Sequence, residues 1–225
     1  MKILSWNIYF DDDSGVIRYP RIIEAIEKLD CEFVCLQEVT PAFIRLLEDS
    51  CLKKSYKFFH LNQEQSYRCI ILSRIEIRDQ GILTLPSNLK RVAPYVVVEH
   101  CDCELQLFCV HLESMLEDTE LRIRQLKHIH SLAKRDFVIC GDFNFGDDDL
   151  ENSYICENFI DFGQSDKSFT FDIDRNQMAF ENKFEKEGSR RLDRFIAKGK
   201  IRSKSYQVVE ELSSDHFPIV CELEF

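Results

Sequence analysis

The sequence predicts an α/β protein in which two packed, mixed β-sheets are flanked by helices. Three observations predict it. Short apolar runs of strand length outnumber the segments with helical spacing. The helical segments fall between several of those runs. Gly and Pro are scarce, at seven and five in 225 residues, and no linker, repeat or low-complexity tract divides the chain. One domain over residues 1–225 is therefore expected. Two sheets packed face to face with helices outside is the natural way to bury so much β surface in one domain.

The elements follow in order. Residues 3–6 (Ile-Leu-Ser-Trp) read as a strand. Apolar residues at 22, 23, 26 and 29 repeat with helical spacing and predict a helix over 21–29. Residues 33–36 are a short buried strand. Pro41 stands where a helix begins, since Pro favours the first turn, and 42–52 reads as helix. The middle is β-rich, with strands over 56–60, 68–73, 75–83, 94–100 and 104–111. Asp118 or Thr119 caps a helix running to 134, with Leu121, Leu126, Ile129 and Ala133 on one face. Residues 137–141 form another buried strand. Strands over 192–197, 206–209 and 218–225 complete the pattern.

Hydrophobic residues make up 44% of the chain and charged residues 31%, as in ordinary globular proteins. No apolar run approaches the roughly 20 residues a membrane helix needs. Met1-Lys2-Ile3-Leu4-Ser5-Trp6-Asn7 turns polar too early for a signal peptide. The protein is expected in the cytosol or nucleus, not secreted and not bound to a membrane. Most of the ten cysteines sit inside apolar runs, among them Cys35, Cys69, Cys109, Cys140 and Cys221. They read as buried free thiols in a reducing compartment. No Cys-x-x-Cys pair occurs, and Cys101-Asp102-Cys103 lacks a second pair to complete a zinc site.

The formal net charge is −11, which argues against coating long duplexes. Residues 186–204 nevertheless gather Lys186, Arg190, Arg191, Arg194, Lys198, Lys200, Arg202 and Lys204. Two readings stay open, a solvated face and a local landing site for a polyanion.

One feature rises above this background. Polar groups able to meet metal or phosphate recur where buried strands end or begin: Asn7, Glu38, His111, Asp142 with Asn144, and Asp215 with His216. Taken singly, each has a plainer reading, as a turn residue, an acid at a helix start, a core histidine, an Asx-turn or a loop. Taken together they match a common principle, that a rigid sheet aims side chains from distant segments into one place.

Trp6-Asn7, Leu36-Gln37-Glu38-Val39, His111-Leu112-Glu113-Ser114, Gly141-Asp142-Phe143-Asn144 and Ser214-Asp215-His216 occur in this order across nearly the whole chain. Together they resemble the endonuclease/exonuclease/phosphatase superfamily. Arg122 with Gln125-Leu126-Lys127, Thr170-Phe171-Asp172 with Asn176, and Arg191-Leu192-Asp193-Arg194 narrow the resemblance to its 5′-tyrosyl-DNA phosphodiesterase branch. The resemblance implies a four-layer α/β sandwich, DNase I-like. It also implies hydrolysis of the bond between a topoisomerase tyrosine and a DNA 5′-phosphate. Two positions depart from the branch: Phe145-Gly146 replaces Leu-Arg, and Phe171 replaces a tryptophan. The ubiquitin-binding extension of some animal members is absent, so a catalytic domain alone is expected.

The resemblance also distributes roles. Glu38 is the metal ligand, for Mg²⁺ with Mn²⁺ as substitute, because Mg²⁺ takes oxygen donors and few carboxylates. Asn7 orients phosphate or water. Asp142 deprotonates the attacking water, and Asn144 donates to the phosphoryl oxygens and helps hold Asp142. His216 binds the phosphate, with Asp215 holding the imidazole. His111 donates to a phosphate oxygen, and Asp193 orients a neighbouring catalytic group. Tyr67, Ser114, Phe171, Arg191 and Arg194 contact substrate. The partner implied is a single-stranded 5′ DNA end bearing a tyrosyl or peptide adduct, with no obligate protein partner. The alternatives are an abasic-site endonuclease or 3′-exonuclease, a lipid or inositol phosphatase, and an inactive binding scaffold.

Overall fold

The computed structural model describes residues 1–59, 66–100, 103–185 and 188–225. In chain order the elements are β1 (Lys2–Asn7), α1 (Asp12–Leu29), β2 (Phe33–Val39), α2 (Pro41–Asp49), α3 (Leu52–Ser55), β3 (Lys57–Phe59), β4 (Arg68–Ser73), β5 (Asp79–Thr84), β6 (Val92–His100), β7 (Cys103–His111), α4 (Thr119–Leu132), β8 (Phe137–Asp142), α5 (Glu151–Asn158), β9 (Ile160–Asp161), α6 (Gln177–Asn182), β10 (Asp193–Lys198), β11 (Arg202–Val208) and β12 (Ile219–Glu224). One sheet has the order β11-β12-β1-β2-β4-β3 and the other β5-β6-β7-β8-β10-β9. Each holds one parallel pair at its centre, β1 with β2 and β7 with β8.

Strand alternation sorts the core into layers. Ile3, Cys35, Ile71, Leu107, Cys109, Val138, Cys140, Phe195 and Cys221 face inward and pack between the sheets. Leu4, Trp6, Val34 and Leu36 face the other way and meet Ile22, Ile26, Phe43 and Leu47 of α1 and α2. Phe108, Phe137 and Ile139 do the same against Leu126 and Ile129 of α4 and Ile155 of α5. The result is the expected four-layer sandwich, with the cysteines of the inner layer buried as small apolar side chains. Among the described residues no helix is long and apolar enough to cross a membrane.

Several boundaries differ from expectation for identifiable reasons. Helix α1 starts nine residues early: Asp11 caps it by accepting from the N–H groups of Asp13 and Ser14. It runs through Pro20, which is exposed and so forgoes one main-chain bond on the solvent side. Thr40 caps α2 ahead of Pro41. Ile75 and Ile77 alternate like a strand, yet they belong to the crossover between the sheets and pack into the inner core from there. Helix α5 buries Glu151 and Ile155, and α6 buries Ala179; with so few apolar positions neither carries a readable period. His60, at the end of the expected strand 56–60, lies outside the described residues.

Candidate active site

The two parallel pairs place the C-terminal ends of β1, β2, β7 and β8 at one edge of the sandwich. Their antiparallel neighbours begin at that same edge. Asp193 opens β10 directly opposite Asp142, and His111 lies beside Asp142 in the parallel register. Ile219, three residues after His216, pairs with Ser5. Strand ends and strand starts from both sheets thus deliver Asn7, Glu38, His111, Asp142, Asp193 and His216 to one cluster.

Its hydrogen bonds cross the seam between the sheets. Asn7 Nδ2 donates to Asp142 Oδ2 at 2.9 Å and to Glu38 Oε1 at 3.2 Å. Asn7 Oδ1 accepts from the Tyr9 N–H at 3.2 Å, and Glu38 Oε2 from the Phe10 N–H at 3.0 Å. Asp142 Oδ1 accepts from the Asn144 N–H at 2.9 Å. His216 Nδ1 meets Asp193 Oδ2 at 2.7 Å, while its Nε2 stands 3.9 Å from Asp142 Oδ2. His111 Nε2 lies 3.5 Å from Asp142 and 3.8 Å from Glu38.

Backbone geometry aims these groups. Between Leu36 and Val39 the β2–β4 ladder slips, and Glu38 has φ 60°. This bulge turns Glu38 out of the strand alternation. Asn144 has φ 58°, a conformation Asn tolerates better than most residues. Gly141 has φ +143°, and a Cβ there would fall 1.9 Å from the Val110 carbonyl oxygen. Only glycine lets β8 lie this close to β7 ahead of Asp142.

Burial and neighbouring charge set the protonation. Burial, reinforced by the Asp215 charge, pushes Glu38 up to about 7. Burial also lifts Asp142 to about 6, against the His216 charge and with that of Asp193. Burial works against a charged His216, but Asp193, Asp142 and Asp215 outweigh it and raise its pKa well above the ordinary value. His111 is held well below it by burial, then by the charges of Arg91 and His216. One histidine is therefore an imidazolium and the other neutral.

A buried carboxyl, Asp142, and a partly buried one, Glu38, share one amide, and beside them stand neutral His111 and the His216 imidazolium. Such a site fits a hard divalent cation, which would relieve the desolvated negative charge. Asp142, Asp193 and His216 also present ligand atoms within 4.8 Å of one another. Asp193 and His216 are bonded to each other, however, which leaves Glu38 the carboxylate best suited to a metal.

The remaining expected site residues divide into two groups. Tyr67 and Ser114 join the cluster: the Tyr67 ring lies 6.2 Å from that of His111, and Ser114 Oγ accepts from Arg91 Nη2 at 3.2 Å. Phe171 packs edge-on against His216 at 5.4 Å. Arg191 and Arg194 require correction. Asp193, Phe195 and Ala197 face inward along β10, so Arg194 points to the opposite, helix-covered face. It is fully buried against Phe145. Both arginines bond Asp147 and Asp161 instead of facing the cluster. Two further lysines of the basic run, among the described residues, are engaged elsewhere. Lys198 lies five residues along β10 from Asp193, about 17 Å at strand rise, and it meets His130. Lys204 pairs with Glu222, and Lys186 lies outside the described residues. A second correction concerns Asp215. Its carboxylate accepts from Asn182 and Ser214, and the partner of the His216 ring is Asp193.

The sequence matches the Endonuclease/Exonuclease/phosphatase family over residues 4–216. The chain belongs to that family. Endonuclease/exonuclease/phosphatase membership makes it a phosphodiesterase-type hydrolase. Solved structures with the same fold include D. rerio TDP2 complexed with single strand DNA product, at TM-score 0.84 and 23% identity, covering 100% of this chain and 99% of that one. Truncated Caenorhabditis elegans TDP2 follows at TM-score 0.79 and 22% identity, covering 98% and 96%. A functionally unknown conserved protein from Enterococcus faecalis V583 has TM-score 0.78 and 18% identity, covering 100% and 99%. A search of curated proteins finds no match.

Within this family framework the motif residues that touch no cluster group prove to be scaffolding. Glu113 accepts from Ser87 Oγ, the N–H groups of Asn88 and Leu89, and Gln125 Nε2. Arg122 holds Glu151 and the carbonyls of Glu113 and Met115. Thr170 Oγ1 accepts from the N–H groups of Leu192 and Asp193, and Asn176 Nδ2 donates to the Ser214 carbonyl.

Sequence reasoning missed Arg91. Its guanidinium contacts both nitrogens of His111, at 3.1 and 3.3 Å, and lies 5.8 Å from the Tyr67 ring centroid. Phe10 stacks on that same ring at 5.0 Å. The signal was available, because Arg91 immediately precedes β6, antiparallel to β7, as Asp193 opens β10. Strand starts as well as strand ends point into this site.

Proposed function

We propose that the protein is a Mg²⁺-dependent phosphodiesterase that cuts the 5′-phosphotyrosyl bond between a topoisomerase-derived tyrosine and DNA, leaving a 5′-phosphate. The observation that carries this reading is the corner formed by Arg91, Tyr67 and neutral His111 beside the carboxylate cluster. An aromatic face and a fixed cation suit an aromatic leaving group that departs with negative charge. A phenol has a pKa of about 10, so it leaves without strong proton donation. The fold likeness to TDP2, solved in D. rerio with single-stranded DNA product, supports the same substrate class. The active unit is one catalytic domain over 1–225, acting where DNA is, in the nucleus or cytosol.

Each residue then has a task. Asp142, lifted to about 6, accepts the proton of the attacking water, since a base works best with a pKa near the working pH. Asn7 and the Asn144 N–H fix the direction of its lone pairs. The His216 imidazolium, oriented by Asp193, attracts the phosphoryl oxygens and stabilises the charge that grows on them. His111 and Arg91 face the leaving oxygen. A divalent cation held by Glu38, Mg²⁺ or in its place Mn²⁺, would supply further charge neutralisation at the phosphate.

The test is a parallel cleavage assay with Mg²⁺ on tyrosyl-5′-DNA, tyrosyl-5′-RNA, abasic duplex and an inositol phosphate. Chelator-sensitive release of tyrosine from the single-stranded DNA end is expected to dominate. Preference for the abasic duplex would replace this reading with the endonuclease one, and no turnover on any arm would leave a binding scaffold.

A further inference from the structure

Arg18 lies on α1 and is buried, yet no motif includes it. Its guanidinium is used completely. Nε donates to Ser14 Oγ at 2.7 Å. Nη1 donates to the Ile8 carbonyl at 2.8 Å and the Ser213 carbonyl at 3.1 Å. Nη2 donates to the Tyr9 carbonyl at 3.0 Å and the Asp11 carbonyl at 2.7 Å. Five acceptors meet the five N–H donors that an arginine has.

The acceptors belong to two segments that matter. Residues 8–11 leave β1 and carry the N–H groups of Tyr9 and Phe10, which hold Asn7 Oδ1 and Glu38 Oε2. Ser213 leads into Ser214, Asp215 and His216. Tyr9 has φ 58°, a conformation costly for a side chain of its size. Its carbonyl is one of the groups Arg18 binds. Two other bonds cross the same join, Ser214 Oγ to the Asn7 carbonyl at 2.7 Å and Trp6 Nε1 to the His216 carbonyl at 2.8 Å.

We propose that Arg18 is a positioning residue of the active site. It holds Tyr9 in its strained conformation, so that the Tyr9 and Phe10 amides fix Asn7 and Glu38, and it ties this segment to the one bearing His216. The claim rests on the proposed roles of Asn7, Glu38 and His216. Lysine cannot replace arginine here, because a point ammonium with three donors does not span carbonyls on two segments.

The experiment compares wild type, Arg18→Lys, Arg18→Ala and Arg18→Ala with Tyr9→Gly. Mn²⁺ affinity is measured by calorimetry, kcat and KM on thymidine 5′-(p-nitrophenyl phosphate), and the Tyr9 and Phe10 amides by NMR. Both Arg18 variants are expected to weaken Mn²⁺ binding by about 10- to 100-fold, the usual effect of losing an outer-shell support. A similar loss in kcat is expected, with KM nearly unchanged and both amide signals shifted. Glycine takes positive φ freely, so Tyr9→Gly should recover part of the loss in the Arg18→Ala background. If Arg18→Ala does not fold, Arg18→Lys carries the comparison. A lower melting temperature with unchanged Mn²⁺ affinity and kcat would reduce Arg18 to an ordinary helix anchor. Purely additive losses in the double variant would also overturn the proposal. A wild type that binds Mn²⁺ but leaves the ester intact refutes the proposed function. The amide signals of Arg18→Lys then still decide the positioning claim: shifted they uphold it, unshifted they sink it.

Discussion

At the residue scale, strain and desolvation gather where the chemistry is placed. Among the described residues, four of the five non-glycine residues with positive φ, Tyr9, Glu38, Lys90 and Asn144, are site residues or stand beside one in sequence or in the site. Glu38 and Asp142 are raised to about 7 and about 6. In the metal-free protein these two carboxyls therefore bind more protons folded than unfolded between about pH 4 and 7, and their contribution to stability falls as pH rises through that window; His111, held low, contributes in the opposite sense. His216, raised above its ordinary value, adds stability that is complete below about pH 6.5 and is lost as pH rises through its folded pKa. Metal needs the carboxylates ionised. The gain in melting temperature from Mg²⁺ should thus be larger at pH 8 than at pH 5, a comparison that thermal scans make directly; an equal gain at both would mean Glu38 does not bind it. Asp193→Asn should lower kcat by about 10²- to 10³-fold, the effect of losing a positioned group that stabilises developing charge, and shift the His216 imidazole titration downward in NMR. The residues that sequence alone revealed were those whose chemistry is unusual at a strand end, such as Asn7 and Asp142. Arg91 and Arg18 were hidden because an arginine in isolation reads as surface.

At the scale of elements, the same limitation explains the misplaced arginines. Arg194 directly follows Asp193, and a strand's period of two sends such neighbours to opposite faces; Arg191 lies two residues before Asp193, ahead of β10, and is drawn away by its ion pairs with Asp147 and Asp161. Together with Asp147 and Asp161 they make an ionic box beneath β10, on the helix-covered side. Asp161 is the buried carboxylate common to both. Asp161→Asn should cost about 3–5 kcal/mol, since it strands buried cations. Urea unfolding measures that loss, and KM at low temperature should stay unchanged. A raised KM with intact stability would return these arginines to the substrate. Helices α1 and α2 were legible from apolar spacing and Pro41. Helix α6 was not, because its Asn176 cap and its contact with Asp215 through Asn182 are tertiary facts without a sequence period.

Across the whole molecule, the layered fold was legible because β1, β2, β7 and β8 are apolar on both faces, which only a sheet covered on both sides can accommodate. The order of the strands was not, since no local signal states which runs pair. The charge distribution follows from the fold. With the net charge at −11 and two arginines of the basic run enclosed, few cations remain for phosphate contacts. Binding of a single-stranded 5′ oligonucleotide to Asp142→Asn should have a log–log salt slope on the order of −1 to −2, about two phosphates at 0.7 each. A steep slope that grows with duplex length would show a tracking surface and overturn this expectation.

The pairing of β12 with β1 has a consequence for how the molecule comes into being. Met1 and Leu223 exchange main-chain hydrogen bonds, and β12 lies between β11 and β1 inside its sheet. During synthesis β1 stays open along one side until residues 219–224 emerge, and His216 arrives only just before them. Asn7 and His216, 209 residues apart in the chain, cannot meet earlier. A ribosome-bound intermediate or a fragment cut short of β12 therefore lacks a closed sheet, and the segment bearing His216 has no strand pairing to hold it against Asn7. On the roles proposed for Asn7 and His216, the chain gains its activity only as the sheet closes.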